Sequence, residues 1–198
     1  MGKFLFKTRD LVQQRKKFLW FLIILSVLVA VLAVVFAVNK PSDIYEVKLT
    51  NIAYIQYLAG SSGVFSTIIK MSLSLLIFLS LILVCGARKI FFPMAVLFYL
   101  YFVYSQIFVF MNLMFYYGFA NCVILLLLLI GHTVANCSLF IFILIEQTTI
   151  CGRRGYFGLL FKISESSILI YLILMILLCV LFCLVLLILK SFVILLVF

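Results

Sequence analysis

The chain has 198 residues, 69% of them hydrophobic, and 15 Lys+Arg against 5 Asp+Glu give it a net charge of +10. With a mean hydropathy of +1.45, it carries more apolar surface than a water-soluble fold of this size can hide, soluble domains being about half apolar. Its bases sit beside long apolar runs, an arrangement that orients membrane helices and argues against a nucleic-acid partner.

Six cysteines, at 85, 122, 137, 151, 179 and 183, fall mostly inside apolar runs, and none forms a CxxC pair. Buried thiols of this kind behave as small hydrophobes, so neither a disulfide framework, a metal site nor a bound cofactor is expected.

Residues 1–17 form a basic N-terminal segment, with Lys3, Lys7, Arg9, Arg15, Lys16 and Lys17 against Asp10 alone. The apolar run 18–38 follows. It is longer than the core of a signal peptide, and Ala37-Val38-Asn39-Lys40 is a poor cleavage site, so it reads as an uncleaved first span with a cytoplasmic N-terminus. Lys40 and Pro41 stop that helix.

Residues 40–70 form the longest polar stretch and are expected at the outer membrane interface. Leu49, Ile52, Ala53, Tyr57 and Leu58 share a helical face, and Tyr45, Tyr54 and Tyr57 suit an interfacial belt. The turn Gly60-Ser61-Ser62-Gly63 breaks that helix. A short second span is expected over 71–86, returning to Arg88 and Lys89 on the cytoplasmic side.

The third span, 90–117, exceeds the length of one upright crossing. It reads as one long tilted helix opening with Pro93 in its first turn, with an interruption near Tyr104-Ser105-Gln106 as the competing reading. A turn at Gly118 leads into a fourth span, 121–147, ending near Arg153 and Arg154. The fifth, 166–189, leaves an apolar tail, 191–198, too short to cross again. The chain is thus an all-α membrane bundle of five spans over 18–198, a single polytopic domain. The segments placed inside hold 11 Lys+Arg, and those placed outside hold only Lys40, Lys48, Lys70 and Lys190.

A few polar side chains stand out against this background. His132, the single histidine, lies at mid-depth of the fourth span with Asn136 one turn along on the same face. Polar groups at such depth turn toward the bundle interior, as interhelical hydrogen-bond donors or as parts of a proton or substrate path. Gln106 in the third span belongs with them. Glu146 is the acid of the fourth span, and its position toward Arg153 and Arg154 reads as a helix-end anchor. The Gly60–Gly63 turn looks like the GxSG nucleophile turn of rhomboid proteases, and Ser62 with His132 would form a dyad. Only one span precedes that serine and no upstream HxxxN is present, so protease activity is the remote reading.

The order of features resembles the stage II sporulation protein M family of bacterial membrane proteins. The stretch from Leu83-Val84-Cys85-Gly86 to Pro93, the run from Tyr101 to Phe110 and Tyr117-Gly118-Phe119 carry the likeness. Where that family often shows Leu-Pro-Gln-Asn, this chain has Ile130-Gly131-His132-Thr133. The resemblance implies a non-enzymatic scaffold or assembly subunit of an envelope complex in the bacterial plasma membrane. Its partners would be other membrane or envelope proteins, or a second copy of the chain. Tyr54, Tyr57, Gly60 and Gly63 are then the contact candidates. The alternative is a small permease or permease subunit, with Gln106, His132, Asn136 and Glu146 along its path. Polar side chains converging inside the bundle would favour transport; local pairing would favour the scaffold.

Overall fold

In the computed structural model of the chain, residues 10, 13–39, 53–58, 60, 63–86, 88–150 and 168–197 are described. They form α1 (Lys16–Val38), α2 (Ala53–Leu58), α3 (Val64–Gly86), α4 (Phe92–Tyr117), α5 (Phe119–Ile150) and α6 (Ile168–Val197), with no strand among them. Five of these, all but α2, are long and apolar enough to cross a membrane. Their outward faces carry large exposed hydrophobes such as Trp20, Val31, Leu73, Leu97, Val134 and Leu181. Water would penalise such a surface, whereas lipid tails match it. The protein is a multi-pass helical membrane bundle.

The long helices pack side by side. α3, α4, α5 and α6 close a ring, with α3 against α4, α4 against α5, α5 against α6 and α6 back on α3. α1 leans on this ring from outside, chiefly against α4. Helices already in lipid gain little from hiding apolar area, so close packing and hydrogen bonds between them hold the ring. Phe102 stacks edge-on against Phe140 with ring centroids 4.9 Å apart and against Phe78 at 5.4 Å, joining α3, α4 and α5. Ser26 on α1 meets the hydroxyl of the buried Tyr99 on α4 at 2.8 Å.

Two buried clusters divide the bundle along its length. One, toward the Arg88 end, gathers Leu22, Leu79, Tyr99, Phe140, Leu144 and Met175 among others. The other, toward the Gly118 end, joins Tyr57 to Leu113, Leu126, Leu129, Phe182 and Leu186.

Several boundaries differ from those expected. α3 begins at Val64 instead of 71, so it takes in Lys70, which the sequence reading leaves in the outer segment. A lysine early in a membrane helix is tolerable because its long stem carries the amine to a polar partner; here the Nζ donates to Gln56 Oε1 on α2 at 3.0 Å. α4 runs unbroken from Phe92 to Tyr117 with Pro93 in its first turn, so the interruption near Tyr104 is not found. Ser105 there returns its hydroxyl to the Phe102 carbonyl at 2.8 Å, inside the helix. α6 continues to Val197, absorbing most of the tail 191–198.

Gly118 makes the turn between α4 and α5. Its φ of 78° and ψ of 151° lie in a region open essentially to glycine alone, and its N–H still reaches the Met114 carbonyl at 3.0 Å. Arg15, Lys16, Lys17, Arg88 and Lys89 are all exposed around one end of the bundle. Most of the N-terminal segment 1–17, much of 40–70, Ser62, Arg153 and Arg154 lie outside the described residues.

Candidate functional site

Between the two clusters lies a cavity of about 430 Å³. Every helix of the ring supplies part of its wall: Met71, Ser74 and Leu75 from α3, Phe102, Gln106 and Val109 from α4, Leu129 and His132 from α5, and Phe182 from α6. Lys70 and Ala53 border it where α2 packs against α3 and α6. The volume is within the range of small-molecule sites, and the lining has their character, mostly apolar with a few polar groups converging.

The polar groups differ in how they are held. His132 is fixed. Asn136 Nδ2 donates to the His132 backbone carbonyl at 2.9 Å and lies 3.1 Å from His132 Nε2. Because the carbonyl can only accept, the amide group facing it must be the NH2, and Nε2 then accepts from the same nitrogen. The imidazole proton therefore sits on Nδ1. The Cys179 thiol approaches the same Nε2 at 3.8 Å, and Phe182 lies against the ring with centroids 4.6 Å apart.

Ser74 and Gln106 are held by no hydrogen bond to another described residue. Several serines and threonines in these helices return their hydroxyls to a carbonyl of the preceding turn, as Ser80 does to Leu76 and Ser138 to Val134. Ser74 makes no such bond. Two polar groups left open in an apolar bundle need water or a ligand in the cavity they face. Among the described residues Lys70 brings the one full charge on the lining, and its hydrogen bond is to the neutral amide of Gln56. Neither of the two described acids, Asp10 and Glu146, borders the cavity.

The predicted site residues are placed as follows. Gln106 and His132 come together on the cavity wall. Asn136 is fully buried and acts on the cavity through His132. Glu146 is also buried, but it lies fourteen residues beyond His132 on α5, roughly 21 Å along the axis. It belongs to the Arg88 end, within electrostatic reach of Tyr171, and does not share the cavity.

Tyr57 is 5% exposed and packs into the Gly118-end cluster, so its ring serves the chain's own fold rather than an outer surface. Removal from water, with Cys183 nearby, pushes its phenol above the ordinary value. Tyr54 lies in α2, while Gly60 and Gly63 stand exposed beside α3. Gly118 is the α4–α5 turn and lies off the cavity.

The sequence reading misses Lys70, which it leaves in the outer segment 40–70, and does not single out Ser74 within the second span. Val64, Phe65, Ile68 and Ile69 ahead of Lys70 are the available signal. It also missed Gln147, a buried side chain on α5 that reaches α3. Among the described residues, no cluster of three or more His, Cys, Asp or Glu is placed to hold a metal ion.

Comparison with known proteins finds no matching family model, no matching curated protein and no matching solved structure.

Proposed function

We propose that the protein binds a small solute within the membrane and passes it across, as a permease or the membrane subunit of one. The observation that carries this reading is the convergence of Lys70, Ser74, Gln106 and His132, from three spanning helices, on one cavity of about 430 Å³. A bundle that serves only as a scaffold gains nothing from a void of this size, because missing contacts weaken helix packing. Polar side chains facing it add a desolvation penalty that a ligand or water would relieve.

Access to the cavity tests the proposal. In a background with the six native cysteines replaced, Gln106→Cys is expected to react with a membrane-impermeant thiol reagent applied to either side of proteoliposomes. Leu113→Cys, at a fully buried position, serves as the unreactive control. A Gln106→Cys that reacts from neither side overturns the reading.

A non-enzymatic scaffold of the bacterial plasma membrane, resembling the stage II sporulation protein M family, is the second reading. The exposed Gly60 and Gly63 support it, as contact points on the end of the bundle opposite Arg88. Loss of a co-purifying envelope protein on deletion of residues 45–66, with the cavity inert to thiol reagents, would favour it.

A further inference from the structure

We propose that the cavity selects amphipathic anions: a ligand with one carboxylate or phosphate head and an apolar body. This rests on the reading of the cavity as a solute site and names the chemistry of what enters it.

Charge is the first ground. Among the described residues, Lys70 is the one charged residue on the lining, and no ion pair neutralises it. Its hydrogen-bond partner among the described residues, Gln56, is uncharged and holds the ammonium at the border of the cavity without neutralising it. Exposed at the border of the cavity, such a charge attracts an anion and repels a cation. An ammonium has three donors, so two remain for a ligand oxygen.

Position is the second ground. Ser74 follows Lys70 by one turn on α3, so both fall on one face of the helix. Its hydroxyl, which bonds to no other described residue, can donate to the same anionic head. Gln106 brings an open carboxamide from α4. Lysine, hydroxyl and amide are the donor types that recognise carboxylate and phosphate oxygens.

The rest of the wall sets the remainder of the ligand. Met71, Leu75, Phe102, Val109, Leu129 and Phe182 are apolar and offer nothing to a second charge. A small inorganic anion would leave this surface bare, whereas an alkyl or aromatic body would cover it. A free organic anion and an anionic lipid share this chemistry.

The test uses the full chain in nanodiscs of zwitterionic lipid, with empty discs as the blank. Binding of octanoate, octyl phosphate, octanol and octylammonium is measured by calorimetry. These probes share one body and differ in the head. Octanoate and octyl phosphate are expected to bind about tenfold or more tighter than octylammonium, as one charge-assisted contact provides. Lys70→Gln is expected to collapse the preference for octanoate over octanol, and Lys70→Arg to keep it, at unchanged thermal stability.

Octylammonium binding as tightly as octanoate, or a preference untouched by Lys70→Gln, overturns the anion selection while leaving the cavity a binding site. Failure of all four probes, in the wild type and in Gln106→Leu alike, overturns the solute-site reading together with the selection. Repeating the titration in discs containing phosphatidylglycerol separates the two sources. Octanoate displaced by that lipid supports a lipid occupant, and octanoate retained supports a free anion, both within the proposed class.

Discussion

Gln147 of α5 closes over Gly86 at the end of α3, donating from Nε2 to the carbonyls of Ile82 at 3.2 Å and Leu83 at 3.4 Å. Carbonyls in the last turn of a helix run out of partners within that helix, and in lipid no water replaces them. The amide of one helix thus serves as the cap of another. Gly86 makes this approach feasible, because a Cβ there would overlap the Gln147 carboxamide. Ordinarily Gly→Ala in a helix stabilises by about 1 kcal/mol. Here Gly86→Ala is expected to destabilise by about 1–2 kcal/mol, through eviction of the buried amide from its acceptors. In a Gln147→Ala background the same substitution should turn neutral or stabilising. A double-mutant cycle read by unfolding in mixed micelles checks the change of sign.

Ser26 links α1 to the ring through Tyr99. The serine hydroxyl lies 2.7 Å from the Leu22 carbonyl, to which it must donate, so the 2.8 Å contact with Tyr99 has the phenol as donor. Tyr99→Phe removes that donor without changing the packing of the ring and is expected to destabilise by about 0.6–1.7 kcal/mol, the span seen for interhelical hydrogen bonds in membranes. Ser26→Ala should give the same loss, and the double variant should add nothing further. Additive losses in the unfolding titration would show that the two hydroxyls act separately.

What could be read from the linear chain follows from what the bilayer imposes. A hydrocarbon core demands about 20 apolar residues per crossing, so 18–38 and the four later runs were legible as helices before their packing was known. Gln106 and His132 were legible because a polar residue in such a run needs a reason to be there. Lys70 was not, since a hydropathy reading takes a charge as the end of a span; the observed helix carries it inside by giving its amine Gln56. Tyr57 suits an interfacial ring, yet its position on a helical face is equally that of a core residue, and the observed α2 turns it inward. The pairing of Gln147 with Gly86 depends on which helix lies beside which, and no periodicity within one helix encodes that.

The imidazole of His132 offers a direct spectroscopic test of the cavity wall. Asn136 donates to both the His132 carbonyl and Nε2, so the proton is expected on Nδ1. With a single histidine in the chain, nitrogen-15 labelling of histidine yields one pair of ring signals. Solid-state NMR in lipid is expected to show a protonated Nδ1 and an accepting Nε2. Asn136→Leu should release the ring and move population to the other tautomer. A wild-type spectrum with the proton on Nε2 would show that the asparagine does not set the ring.

Asn112 is the reverse case, a polar side chain that the fold leaves without reward. It is 1% exposed, and neither Nδ2 nor Oδ1 finds a partner among the described residues. An unsatisfied buried amide costs about 1–3 kcal/mol relative to a satisfied or apolar group. Leucine has a similar volume and suits the neighbouring Leu113. Asn112→Leu is therefore expected to stabilise the bundle by about 1 kcal/mol in the same micellar titration, without altering thiol access at Gln106→Cys. Destabilisation by Asn112→Leu would reveal a partner for the amide inside the bundle, such as a buried water.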